Sequence, residues 1–206
     1  MSLSETLPTF NLGETQEPAF HNWHLSNFES YINPRVLVAG ENLNSLADLL
    51  IDRNITFHLA TSDTNILTQL QSKYTNNNAI RSIKQINLKH ESFVEQYFTM
   101  LKMFGSVIYT KFIDNKDDLR SYLANISLLL WPGGHAFITF PTFNTPLSNS
   151  LISSDDLKLI DRQYLKPILH NFTILKLRHF RLATNDYAGL QYKELNYIAT
   201  VIRKNS

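Results

Sequence analysis

Leu128-Leu129-Leu130-Trp131-Pro132-Gly133-Gly134-His135-Ala136-Phe137-Ile138-Thr139-Phe140 is the stretch that decides the fold. It reads as the last turn of an amphipathic helix, a tight turn and a buried strand. Pro132 cannot continue a helix, and Gly133 and Gly134 accept a positive φ at no steric cost. At least one of these two glycines is therefore expected in that conformation. Ala136–Phe140 then runs almost without polar interruption, as a strand covered on both faces does. A helix delivered straight into such a strand is the repeating unit of an α/β sheet.

The rest of the chain fits that unit. At 206 residues it is long enough for one domain with a proper core. A formal charge of +1 gives no electrostatic argument for nucleic acid or an anionic membrane. The absence of Cys rules out disulfides and thiolate metal sites. MSLSETLPTF has neither the basic region nor the apolar run of a signal peptide, and no apolar run approaches the length of a membrane span. The expected compartment is the cytoplasm, and the sequons at Asn54, Asn125 and Asn171 then read as chance.

Residues 1–18 are polar and read as a flexible N-terminal arm, which leaves 19–206 as a single α/β domain. Ala19–Ile32 has helical spacing and ends at Asn33-Pro34. Arg35–Ala39 is a first strand, Leu43–Ile51 a helix and Ile55–Ala60 a second strand. Asp63 caps a helix over Thr64–Lys73. Ile80–Leu88 is a third strand, Glu91–Met103 a helix and Ser106–Thr110 a fourth strand. Asn115 caps the helix that leads into the Pro-Gly-Gly turn, with Asp117 and Asp118 in its first turn. After the fifth strand come a polar loop over Pro141–Ile152 and a helix from Ser153, with Asp156 completing a capping box, to about His170. Phe172–Leu182 and Gln191–Arg203 have no room for a helix between them, so they should pair antiparallel.

This order resembles the class I S-adenosylmethionine-dependent methyltransferase family over about Phe20–Lys204. The most specific part is Asn115–Phe140, where the family's late motif ends a helix in a Pro-Gly-Gly turn before the fifth strand. The hairpin Phe172–Arg203 is similar to the family's antiparallel sixth and seventh strands. The resemblance implies a Rossmann-like, mostly parallel seven-stranded sheet with a C-terminal antiparallel hairpin and helices on both faces. It also implies an S-adenosylmethionine site across the C-terminal ends of the first strands.

The family's first motif is a strand, an acid and three spaced glycines. Here Val36–Asn44 keeps only Gly40, with Val38 where the acid often stands and Asn42 and Asn44 where later glycines would be. Asn tolerates the left-handed region better than most residues, so the turn can keep its shape. The corner after the second strand offers Thr61, Ser62 and Asp63 to a ribose, and Asn87 stands near the expected adenine. The family's Phe-Asp at the fourth strand reads Phe104-Gly105. The cofactor residues implied are thus Gly40, Glu41, Asn42, Thr61, Ser62, Asp63, Asn87 and Tyr109, with weak binding expected, no metal and no catalytic residue identified.

Tyr109, Thr110 and Lys111 end the fourth strand, where the family places acceptor-side residues; a base there needs a lowered pKa. His21 and His24 lie one turn apart and read as packing or surface residues, and Trp23 and Phe28 as core packing. His135 reads as structural. Two functions stay open. One is a methyltransferase acting on an unknown acceptor, a small molecule or protein before nucleic acid. The other is a non-catalytic protein on the same fold, serving as a partner subunit or ligand-binding module.

Overall fold

The computed structural model describes residues 9–11, 17–111, 116–141, 169–185 and 192–205. The strands are β1 (Thr9–Asn11), β2 (Val36–Ala39), β3 (Phe57–Thr61), β4 (Ile80–Gln85), β5 (Phe104–Tyr109), β6 (Leu130–Pro141), β7 (Phe172–Asn185) and β8 (Tyr192–Lys204). They form one sheet in the order β1-β7-β8-β6-β5-β2-β3-β4. Pairings β5–β6, β5–β2, β2–β3 and β3–β4 are parallel. β8 runs antiparallel to both β6 and β7. The seven strands expected are present, and Thr9–Asn11 adds an eighth, parallel to β7. That strand falls inside the arm expected over 1–18, and helix α1 (Glu17–Phe28) already starts there.

β2 is buried at every position, and its side chains alternate between two cores. Val36 and Val38 join a cluster with α1, α2 (Leu43–Asp52) and α3 (Thr64–Tyr74). Leu37 and Ala39 join one with α4 (Phe93–Gln96) and α5 (Lys116–Leu129). The helices follow their spacing: Leu43, Leu46, Ala47 and Leu50 of α2 are all buried, as are Leu119, Tyr122, Leu123, Ile126 and Leu129 of α5. Each fully buried Leu or Phe contributes about 1.5–3 kcal/mol relative to exposure.

Two local readings change. The helix expected over Glu91–Met103 is the four-residue α4 followed by a 3-10 turn at Phe98–Met100. Only part of its apolar stripe finds a partner: Phe93 and Tyr97 are buried, whereas Val94 and Phe98 stay exposed. The Tyr97 hydroxyl accepts from the Asn87 N–H at 2.8 Å, which fixes the short segment against the end of β4. At the Pro-Gly-Gly turn, β6 begins at Leu130 and runs through it as a bulge. Its partners on β5 jump from Leu130 opposite Phe104 to His135 opposite Ser106. Gly133 takes φ +78°, as expected for one of the pair. The bulge lays the Trp131 ring on Gly105, where a Cβ would meet that ring and the Pro34 carbonyl. The helix expected from Ser153, the loop before it and the Asn115 cap lie outside the described residues, apart from Pro141 and residues 169–170.

His135 is structural, its Nδ1 lying 2.6 Å from the Tyr31 carbonyl. His21 and His24 are buried among Phe20, Phe28 and the sheet. The His24 ring sits 4.9 Å from that of Phe28, and its Nε2 has no partner among the described residues.

Two outcomes are expected. Gly105→Ala should cost about 1–3 kcal/mol, because a backbone carbonyl and a packed indole must both move; denaturant melts check this. Burial, and secondarily His21, push His24 down to about 3. The unfolded chain therefore binds a proton that the folded chain refuses, and stability falls as pH drops from about 6.5 towards about 3. Between about pH 7 and about pH 5 the loss should be roughly 2 kcal/mol. The same melts on His24→Phe should show a flatter dependence.

Candidate functional site

β2 is the strand at which the sheet reverses direction of growth, with β3 on one side and β5 on the other. In open α/β sheets such a switch point opens a crevice beyond the C-terminal strand ends. Here Ala39 pairs with Ala60 and with Tyr109, so the residues that follow all three strands converge. A cleft of about 30 Å³ lies at that point. Of the residues expected at the cofactor site, Gly40, Glu41, Ser62, Asn87 and Tyr109 line it. Asn42, Thr61 and Asp63 do not.

The turn after β2 keeps a ligand-cradling shape. Gly40 has φ +129° and Asn42 φ +51°, so Asn does adopt the left-handed conformation at the first lost glycine. The space the turn faces is occupied. A Cβ on Gly40 would lie 2.5 Å from Thr110 Oγ1 and 2.9 Å from the Lys111 nitrogen. The Thr110 hydroxyl donates to the Glu41 carbonyl at 2.5 Å and accepts from the Glu41 N–H at 3.1 Å. Lys111 Nζ lies 2.5 Å from Glu41 Oε1. The loops after β2 and β5 are thus tied to each other by a hydroxyl and an ion pair.

The other expected contacts are spent locally. Asp63 Oδ1 accepts from the N–H groups of Asn65 at 2.7 Å and Ile66 at 3.1 Å, capping α3. Thr61 is buried and its hydroxyl accepts from the Asp63 N–H. Asn87 Oδ1 accepts from the Lys89 N–H at 2.9 Å. Glu41 is the acidic residue lining the cleft, and it is paired.

Tyr109 is buried with its ring 4.7 Å from that of Tyr122. Burial, and then the Tyr122 hydroxyl, raise its pKa, so it stays a neutral phenol and does not serve as a base. Behind the pair, Lys89 sits over the Tyr122 ring and bonds Asp118 at 2.6 Å. Ala39, Ile86, Leu88 and Tyr122 also line the cleft, and of these Tyr122 is the polar residue that the sequence reading missed as part of the site. Its position on the apolar face of α5 marked it only as core. The cleft holds about one water's share of space, against the hundreds of Å³ of small-molecule sites.

No protein-family model matches the sequence, and no curated protein does. Solved structures do. An S-adenosylmethionine-dependent methyltransferase from Anabaena variabilis superposes with a TM-score of 0.58 at 13% identity, over 89% of this chain and 83% of that one. The N-methyltransferase NodS from Bradyrhizobium japonicum gives 0.56 at 12% identity, over 92% and 97%. A Methanosarcina mazei S-adenosylmethionine-dependent methyltransferase gives 0.54 at 11%, over 87% and 97%. Likeness at such identity concerns architecture and leaves the chemistry open. Among the described residues no helix is long and apolar enough to cross a membrane. In its strand order, its terminal hairpin and its neighbours, this chain has the fold of the class I S-adenosylmethionine-dependent methyltransferases.

Proposed function

We propose that this chain is a non-catalytic protein on the methyltransferase fold, serving as a partner subunit or ligand-binding module. One observation carries the reading. Among the described residues the crevice where the fold would seat its cofactor has a volume of about 30 Å³, and the ion-paired Glu41 and Lys111 line it. Prising it open means breaking a charge-assisted bond and a hydroxyl bridge before any contact to a ligand is made. An exposed ion pair of this kind contributes about 0.2–1 kcal/mol and a neutral hydroxyl bond about 1 kcal/mol. The missing ribose carboxylate offers nothing in return.

A second reading is favoured by the turn itself. Gly40 and Asn42 hold positive φ, and five of the expected contacts do surround one cleft. In that reading the chain is a methyltransferase that binds S-adenosylmethionine weakly and acts on a small molecule or protein. Methyl transfer rests mainly on positioning, so the lost acids alone do not abolish it.

Calorimetric titration with S-adenosylmethionine and S-adenosylhomocysteine separates the two. The expected result is no saturable heat at roughly millimolar ligand, a concentration corresponding to about −4 kcal/mol. Micromolar binding that is lost in Asn87→Ala would overturn the proposal and establish the second reading. A Glu41→Ala, Lys111→Ala double variant should gain measurable affinity if the tie between the loops is what shuts the site.

A further inference from the structure

A second cavity lies at the other end of the same strands. A cavity of about 330 Å³ is lined by Arg35, Thr56, His58, Arg81, Met103 and Phe104. Arg35 and Thr56 immediately precede β2 and β3, Arg81 is the second residue of β4, and Phe104 opens β5. This is the N-terminal edge of the parallel sheet, remote from the crevice in which such folds bind their ligands. The volume falls within the range of small-molecule sites.

The lining has a consistent chemistry. Arg35 and Arg81 are exposed, and among the described residues neither guanidinium has a hydrogen bond or an ion pair. No Asp or Glu lines the cavity. His58 stands between them, its Nδ1 2.8 Å from Ser82 Oγ and its ring edge-on to Phe104 at 5.4 Å. The Nε2 of His58 makes no hydrogen bond among the described residues. Burial lowers the pKa of His58, and Lys84, Arg81 and Arg35 lower it further, which shows how many cations converge on one ring. Among the described residues Arg53 pairs with Glu29, Lys73 with Asp48 and Lys89 with Asp118. Here the counter-charge is missing. Met103, one of the few exposed large apolar residues, supplies a wall beside the charges.

We propose that this cavity is a binding site for a small phosphomonoester with an apolar or aromatic body, its phosphate held by Arg35 and Arg81 and its body against Met103 and Phe104. Two guanidinium groups match a phosphate through paired N–H donors, and weak hydration lets Arg give up water at a partly apolar site. The site is independent of the methyltransferase crevice, so the two readings stand or fall separately.

The test is a titration of the full chain with phenyl phosphate at constant ionic strength, followed by NMR on Arg side-chain and His imidazole signals. Inorganic phosphate and a short DNA duplex are the parallel probes. The expected result is saturable movement at Arg35, His58 and Arg81, with phenyl phosphate binding more tightly than inorganic phosphate. Arg81→Gln and Arg35→Gln should each weaken binding roughly ten- to a hundredfold, while Arg203→Gln, on β8, should not. Movement spread over the exposed lysines, no saturation at roughly ten millimolar, or equal weakening by Arg203→Gln would overturn the proposal. Binding of the duplex without phenyl phosphate would also overturn it, in favour of a nucleic-acid surface. If Arg35→Gln does not fold, the wild-type signal map and Arg81→Gln still decide.

Discussion

The constraint on which the structure depends is the two-sided burial of its central strands. Every side chain of β2 and of β5 is buried. A strand in that position cannot carry a polar side chain unless that side chain is bonded. Ser106 meets the condition, its hydroxyl accepting from the Asn33 N–H at 2.8 Å. Gly105 meets a steric version of it, since the Trp131 ring and the Pro34 carbonyl leave no room for a Cβ. The same packing leaves no room at Gly105 for any side chain, because the bulge in β6 places an indole there. Chemistry is thereby confined to the two ends of the sheet.

At the C-terminal end the turn geometry has been kept while the space has been used up. A cofactor crevice works when the backbone can approach the ligand and the surrounding loops stay apart. Gly40 still satisfies the first condition. Thr110 and Lys111 reach across to Glu41. At the N-terminal end, Arg35 and Arg81 line a cavity of about 330 Å³.

Most of the architecture could be read from residue order because each element is buried on a period the sequence displays. Val36–Ala39 is apolar without a break, and α2 and α5 repeat their Leu residues at helical spacing. What misled was apolar content without a partner. Val94 and Phe98 continue the stripe of Phe93 and Tyr97, but nothing among the described residues covers them, and the helix there is four residues long. The candidate site was legible as a place, since strand ends follow from topology. Its closure was not, because it depends on Lys111 and Thr110 meeting Glu41 across some seventy residues of chain. No local pattern reports such a contact. The basic cavity was hidden for the same reason: Arg35, His58 and Arg81 belong to three strands and share no spacing.

The two margins of the sheet are protected by different means. A bare outer strand offers a row of unused N–H and C=O groups to any extended chain that drifts against it. On one margin, β4 carries exposed Arg81 and Lys84, and stray strands meet charge there. On the other, the long β7 would be an open template, and Thr9–Asn11 lies along it in parallel register with Arg181–Ala183. Three residues from the start of the chain thus act as a shield for a segment some 170 positions later. Their worth lies in solubility as much as in folding energy. A chain that lost them would keep its core and gain an adhesive border.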